Sequence, residues 1–139
     1  MGRPTSFRFS AELLDRLDAE AAAAGVSVSA LVTGLLEEGL KVRRFPGVVF
    51  RDGPTGRRAG LMGGPDVWEV IRDVRRAPGR GEARIRRVAT ESGLTESQVR
   101  LAVDFYSSFP DEIDARLAAD ERAAAQLREA ATRRARLTG

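Results

Sequence analysis

The sequence predicts a mainly α chain, and three observations carry that prediction. Apolar residues recur at helical spacing through most of its 139 residues. Strand-like patterning is confined to a short alternation near the amino end and one β-rich run near residue 50. The breaks between periodic stretches fall at Phe45-Pro46-Gly47, Pro78-Gly79-Arg80-Gly81 and Phe109-Pro110, where Pro and Gly interrupt regular structure. The stretches are 1–44, one strand followed by two helices; 45–110, a small hairpin-plus-helices domain; and 111–139, a helical tail.

Composition narrows the chemistry. With 42% hydrophobic and 31% charged residues the chain is foldable. It has no Cys, hence no disulfide framework and no thiolate nucleophile or zinc ligand, and no His, the usual neutral-pH acid/base and metal ligand. Asp52, Asp66 and Glu69 have no evident partner set for acid/base work, so neither an enzyme nor a cofactor or metal is expected. Lys41 is the only lysine among 23 basic residues set against 20 acidic ones, and the excess of three falls in residues 45–80. Arginine offers a planar fork of donors suited to phosphates and carboxylates. No apolar run approaches the roughly eighteen residues of a membrane span, and no signal-peptide core opens the chain; a cytoplasmic protein without membrane contact is expected.

In the first stretch, Thr5-Ser6-Phe7-Arg8-Phe9-Ser10 alternates with period two, placing Phe7 and Phe9 on one face of a strand and Ser6 and Arg8 on the other. Ser10 is placed to cap a helix carrying Leu13, Leu14, Leu17 and Ala21, which stops at Gly25. Ser27 is placed to cap a second helix whose buried face is Val28, Leu31, Val32, Leu35, Leu36 and Leu40. One strand and two helices cannot complete themselves, because the strand has no ladder partner and about forty residues bury too little apolar surface. A second copy supplies both needs: the strands pair antiparallel and four helices close over Phe7 and Phe9. The outer face of such a ribbon fits a DNA major groove, and the start of the second helix offers free N–H groups to a phosphate.

Thr5 to Leu40 resembles the ribbon-helix-helix family of repressors and antitoxins, the Arc, MetJ and CopG type. The resemblance rests on the alternating strand with Arg8, the capping Ser10, and Gly25-Val26-Ser27-Val28-Ser29 before the second helix. It implies a DNA-binding homodimer in which Pro4, Ser6 and Arg8 face bases and Ser27, Val28 and Ser29 clamp a phosphate. Pro4 and Ser6 are poorer base readers than the Asn, Gln, Lys or Arg often found there, which implies weak sequence specificity. The competing reading is a helical hairpin that only dimerises.

In the second stretch, Val48-Val49-Phe50, the turn Asp52-Gly53-Pro54-Thr55-Gly56 and Arg57-Arg58-Ala59-Gly60-Leu61 outline a hairpin. Gly63-Gly64-Pro65-Asp66 opens a helix with Val67, Val70, Ile71 and Val74 on one stripe and Trp68 beside it. Arg57 and Arg58 with the two glycines invite two readings, an anion site or plain turn chemistry with solvated arginines; the second is favoured, since the Lys-Ser/Thr of a phosphate loop is missing. Ile85, Val88 and Ala89 mark a short helix, Gly93-Leu94 a turn, and Thr95-Glu96-Ser97-Gln98 a capping box opening a helix lined by Val99, Ala102, Val103 and Tyr106. That is a helix-turn-helix outline, which would let Ser97, Gln98 and Arg100 contact nucleic acid or a partner; the same outline recurs in small helical folds that never touch DNA.

Three strings, Phe45-Pro46-Gly47-Val48-Val49-Phe50, Gly63-Gly64-Pro65-Asp66-Val67-Trp68 and Leu94-Thr95 through Tyr106, resemble a small domain of unknown function found in bacterial VapB-like antitoxins. That resemblance implies a neighbouring PIN-like ribonuclease toxin as partner, bound by residues after Phe45.

In the tail, Asp111, Glu112 and Asp114 suit a helix start and Arg133, Arg134 and Arg136 a helix end. Ile113, Leu117 and Leu127 make a thin apolar stripe diluted by alanine. The expected function is therefore a transcriptional autoregulator and antitoxin acting on operator DNA, set against a protein–protein module without DNA binding.

Overall fold

A computed structural model describes residues 2–139. The chain divides into two compact units, Met1–Arg44 and Phe45–Gly139. Among the described residues it is mainly helical, with six helices and one two-stranded antiparallel sheet.

The first unit holds α1, Ala11–Ala24, and α2, Val28–Arg44. Ser10 caps α1 as its spacing predicts: its Oγ accepts from the Leu13 N–H at 3.1 Å. Gly25 ends the helix with φ +68°, a left-handed conformation that glycine adopts without a Cβ clash. Ser27 Oγ accepts from the Ala30 N–H at 3.1 Å and opens α2, and the two helix axes turn by 98° at this break.

Two expectations fail in the isolated chain. No strand forms over Thr5–Ser10; residues 2–10 carry no regular structure, and Phe7 and Phe9 are 73% and 40% exposed. A strand exists only through its ladder, and here nothing pairs with it. Likewise α2 has no buried residue, with Leu35, Leu36 and Leu40 all exposed. Two helices crossing at a right angle meet only near the crossing, so only Leu17 and Ala21 of α1 become buried.

The second unit opens with β1, Val48–Arg51, and β2, Arg58–Leu61, paired with Val48 opposite Leu61 and Arg51 opposite Arg58. Arg57 lies in the turn, just outside the strand. Four helices follow: α3, Val67–Arg76; α4, Gly81–Ser92; α5, Glu96–Ser108; and α6, Pro110–Thr138. Helix α3 packs against β2, α4, α5 and α6 and buries Val67, Trp68, Val70 and Ile71. Asp66 proves to be its N-cap, in a reciprocal capping box with Glu69. Gly93, at φ +67°, ends α4. Thr95 and Gln98 make both bonds of the box that opens α5, at 3.1 and 2.9 Å.

Fully buried Phe105 on α5 is met edge-on by Phe45 and Phe50, at centroid separations of 5.6 and 6.4 Å, and Phe109 tilts against it at 5.3 Å. Helix α6 enters the same core through Ile113 and Leu117. The stretch beginning at residue 111 is thus built into the second unit at its start and stands exposed further on. No single helix among the described residues is long and apolar enough to cross a membrane.

Candidate nucleic-acid interface and the arginine cluster

In the first unit, Pro4, Ser6 and Arg8 are all exposed ahead of α1. Ser27 spends its hydroxyl on the cap of α2, while Val28 is half-buried and Ser29 exposed in the first turn. The start of α2 therefore presents backbone N–H groups with no acidic side chain in its first turn, an arrangement that favours an anion. Beside it, Leu13 and Leu17 of α1 and Leu31 and Leu35 of α2 line an open groove of about 450 Å³, with Arg16 and Glu20 at its rim.

In the second unit, the hairpin arginines converge on one carboxylate. Asp66, 6% exposed, accepts from Arg51 Nη2 at 2.8 Å through Oδ1 and forms an ion pair with Arg58 Nε through Oδ2. Arg51 also donates twice to the Gly64 carbonyl, at 3.0 Å each. A Cβ at Gly60 would overlap the Arg51 guanidinium, so the bare backbone there is what lets that side chain lie across the hairpin. The same Asp66 backbone N–H donates to Glu69 Oε2 at 3.0 Å. The geometry corrects one part of the turn-chemistry reading: Arg57 and Arg58 are not simply solvated. Asp66 draws in the guanidinium groups of Arg51 and Arg58. Arg57 reaches Asp52 at 3.2 Å.

Further along, Trp68 carries the guanidinium carbons of Arg72 and Arg116 each 5.3 Å from its ring centroid, close enough for cation–π attraction. Arg116 also donates to Thr55 Oγ1, tying α6 to the hairpin loop. Around these groups lie two adjoining clefts of about 260 and 480 Å³ that share Thr55, Arg58, Trp68 and Arg116. A second network links three helices: Arg75 of α3 donates to Tyr106 Oη at 2.7 Å and to Asp114 Oδ1 at 2.8 Å, and Tyr106 donates to the same oxygen at 2.9 Å. Sequence reasoning missed Arg51, Arg75 and Arg116 altogether. No local pattern marks them, since each partner is remote along the chain.

Of the three residues at the outline around Gly93, only Ser97 is exposed. Gln98 is committed to the α5 cap, and Arg100 to Glu82 through Nε at 3.2 Å and to Glu96 at 3.1 Å. The hydrogen bond from Arg100 holds the Glu82 carboxyl below its ordinary range, and the same bond raises the Arg100 guanidinium. Compared with known proteins, the chain matches no family model, no curated protein and no solved structure.

Proposed function

We propose that the chain is a DNA-binding transcriptional regulator of the ribbon-helix-helix type, working as a homodimer. The observation that carries this reading is the state of the first unit. Two well-capped helices at a right angle bury only Leu17 and Ala21 and leave Phe7, Phe9, Leu13, Leu14, Leu35, Leu36 and Leu40 exposed. Monomers rarely leave so large a share of a small unit's big apolar side chains in water. A second copy is the occupant that also answers the unpaired alternation of Thr5–Ser10, since two such segments make an antiparallel ribbon with Phe7 and Phe9 inward and Ser6 and Arg8 outward. In that arrangement Arg8 reads bases beside Pro4 and Ser6, and the first turn of α2, at Ser27, Val28 and Ser29, holds a phosphate.

The second unit is the proposed partner-binding half, and the role is that of an antitoxin silencing a PIN-like ribonuclease while regulating its own operator. What supports this is the resemblance of residues 45–114, together with a surface that keeps two open clefts beside Trp68.

The test is a gel shift on DNA from upstream of the gene. Binding should fall steeply with salt, as phosphate contacts release counterions, and Arg8→Ala should weaken it about tenfold or more at matched salt. Unchanged binding in Arg8→Ala removes the ribbon as reader. Absence of any salt-dependent DNA affinity in the parent chain leaves a dimerisation module in its place.

A further inference from the structure

Four arginines line the two adjoining clefts beside Trp68, and three of them have a carboxylate. Arg51 and Arg58 share Asp66, and Arg57 reaches Asp52. Arg116 is the exception among the described residues. Half-buried on α6, it touches the Trp68 ring and, through Nη1, the Thr55 hydroxyl, but no acid. Its Nε N–H is closed to solvent and meets no acceptor. The same holds for the indole N–H of Trp68, a side chain only 9% exposed. A covered N–H without an acceptor and a half-buried charge without a counter-ion are both unfavourable, and here they occur on residues that line the same clefts.

An anion would satisfy these groups, and the surroundings select its kind. Asp66, Glu69 and Glu112 also line the clefts, so a dianion meets repulsion that a single negative charge largely avoids. With Nη1 on Thr55, the edge of Arg116 without an acceptor is Nε–Nη2. Two parallel N–H groups on such an edge match the two oxygens of a carboxylate. The smaller cleft adds an apolar wall of Ala59, Ile113, Ala115 and Ala119. At about 260 and 480 Å³ the clefts together have small-molecule size.

We propose that these clefts bind a small organic monocarboxylate, its charge on the Nε–Nη2 edge of Arg116 and its apolar body against Ile113 and the alanines. Entry requires the covered N–H to open, and the hydroxyl that holds Arg116 in place is that of Thr55. Thr55 is exposed at the hairpin loop, outside the β1–β2 ladder, so the loop yields without unpairing a strand. Such a ligand needs neither DNA nor a protein partner, and the site therefore goes beyond the function proposed above.

Trp68 is the chain's only tryptophan, so its fluorescence reports the site directly. Titrating the full-length chain with phenylacetate at constant ionic strength should give a saturable change with an apparent Kd of about 1 mM or tighter. The neutral phenylacetamide should give none over the same range. Arg116→Gln should weaken phenylacetate about tenfold or more, and Arg116→Lys, which keeps the charge without the fork, should recover only part. If Arg116→Gln fails to fold, Ala119→Leu narrows the apolar wall with Arg116 in place and should weaken phenylacetate about tenfold as well. Arg133→Gln, on the exposed end of α6, should leave binding unchanged. The proposal is overturned by any of four results: no saturable change with phenylacetate, an equal response to phenylacetamide, tighter binding of inorganic phosphate, or a loss in Arg133→Gln as large as in the cleft variants. Gel shifts on DNA are read separately, so either proposal can fail alone.

Discussion

The two units answer the same physical demand in different ways. Both are built from short, well-capped helices with apolar stripes, yet the second buries fifteen hydrophobic residues in one cluster and the first buries two. Among the described residues, eight large apolar side chains stand exposed before residue 45 and three after it. The difference lies in topology. In the second unit α3 is surrounded by β2, α4, α5 and α6, so its stripe has neighbours on every side. In the first, two helices lie at 98° and α2 buries none of its residues. A core needs layers on both faces. The first unit has the sequence of half a core, and its stability should therefore depend on association where the second unit's does not.

The sharpest way to test that contrast is to truncate one apolar side chain in each unit. Phe105→Ala should destabilise the second unit by about 3–5 kcal/mol, the cost of removing a fully buried aromatic. Trp68 and Tyr106 are the chain's only Trp and Tyr, so fluorescence unfolding reports that unit specifically. Leu36→Ala, at a residue 58% exposed in the single chain, should leave the fluorescence transition in place but shift the far-UV transition, and by more at low protein concentration. Equal, concentration-independent effects at the two sites would erase the distinction.

A smaller effect, about 3 kcal/mol, is expected from Asp66→Ala, which leaves two guanidinium groups uncompensated and removes the α3 cap. Asp66→Asn should recover part of it by keeping the cap acceptor. Denaturant unfolding followed by Trp68 fluorescence measures both; an effect below about 0.5 kcal/mol, the surface-substitution level, would show the arginine cluster to be ornamental to the fold.

Smallest is Glu82→Gln. The carboxyl of Glu82 titrates below its ordinary value of 4.5 because of its hydrogen bond with Arg100, so its contribution is present above that value. It is lost as pH falls through the lowered, folded-state value. The variant should therefore lose slight stability near neutrality and match the parent in strong acid, as read from thermal unfolding across pH. A difference that grows on acidification contradicts the pairing.

How much was legible depended on the range of the interaction. Ser10, Gly25, Ser27, Gly93 and the Thr95–Gln98 box could be read because each acts on backbone groups within a few residues. The hairpin was readable from its turn residues, and Val67, Val70 and Ile71 from helical periodicity. The arginine cluster was not: Arg51 and Asp66 are fifteen positions apart, and Arg75 and Asp114 thirty-nine. The alternation of Thr5–Ser10 was visible as a pattern, but a strand also needs a neighbour, and one copy of the chain has none to give.

By itself, then, the sequence determined where helices begin and end and which side chains share a face, because backbone capping and side-chain periodicity are local. Only the tertiary structure decided that Asp66 draws in the hairpin arginines, that α6 enters the second core at Ile113 and Leu117, and that the apolar face of α2 stays open. Burial and ion pairing depend on which elements meet, and that is fixed by the packing of the whole chain.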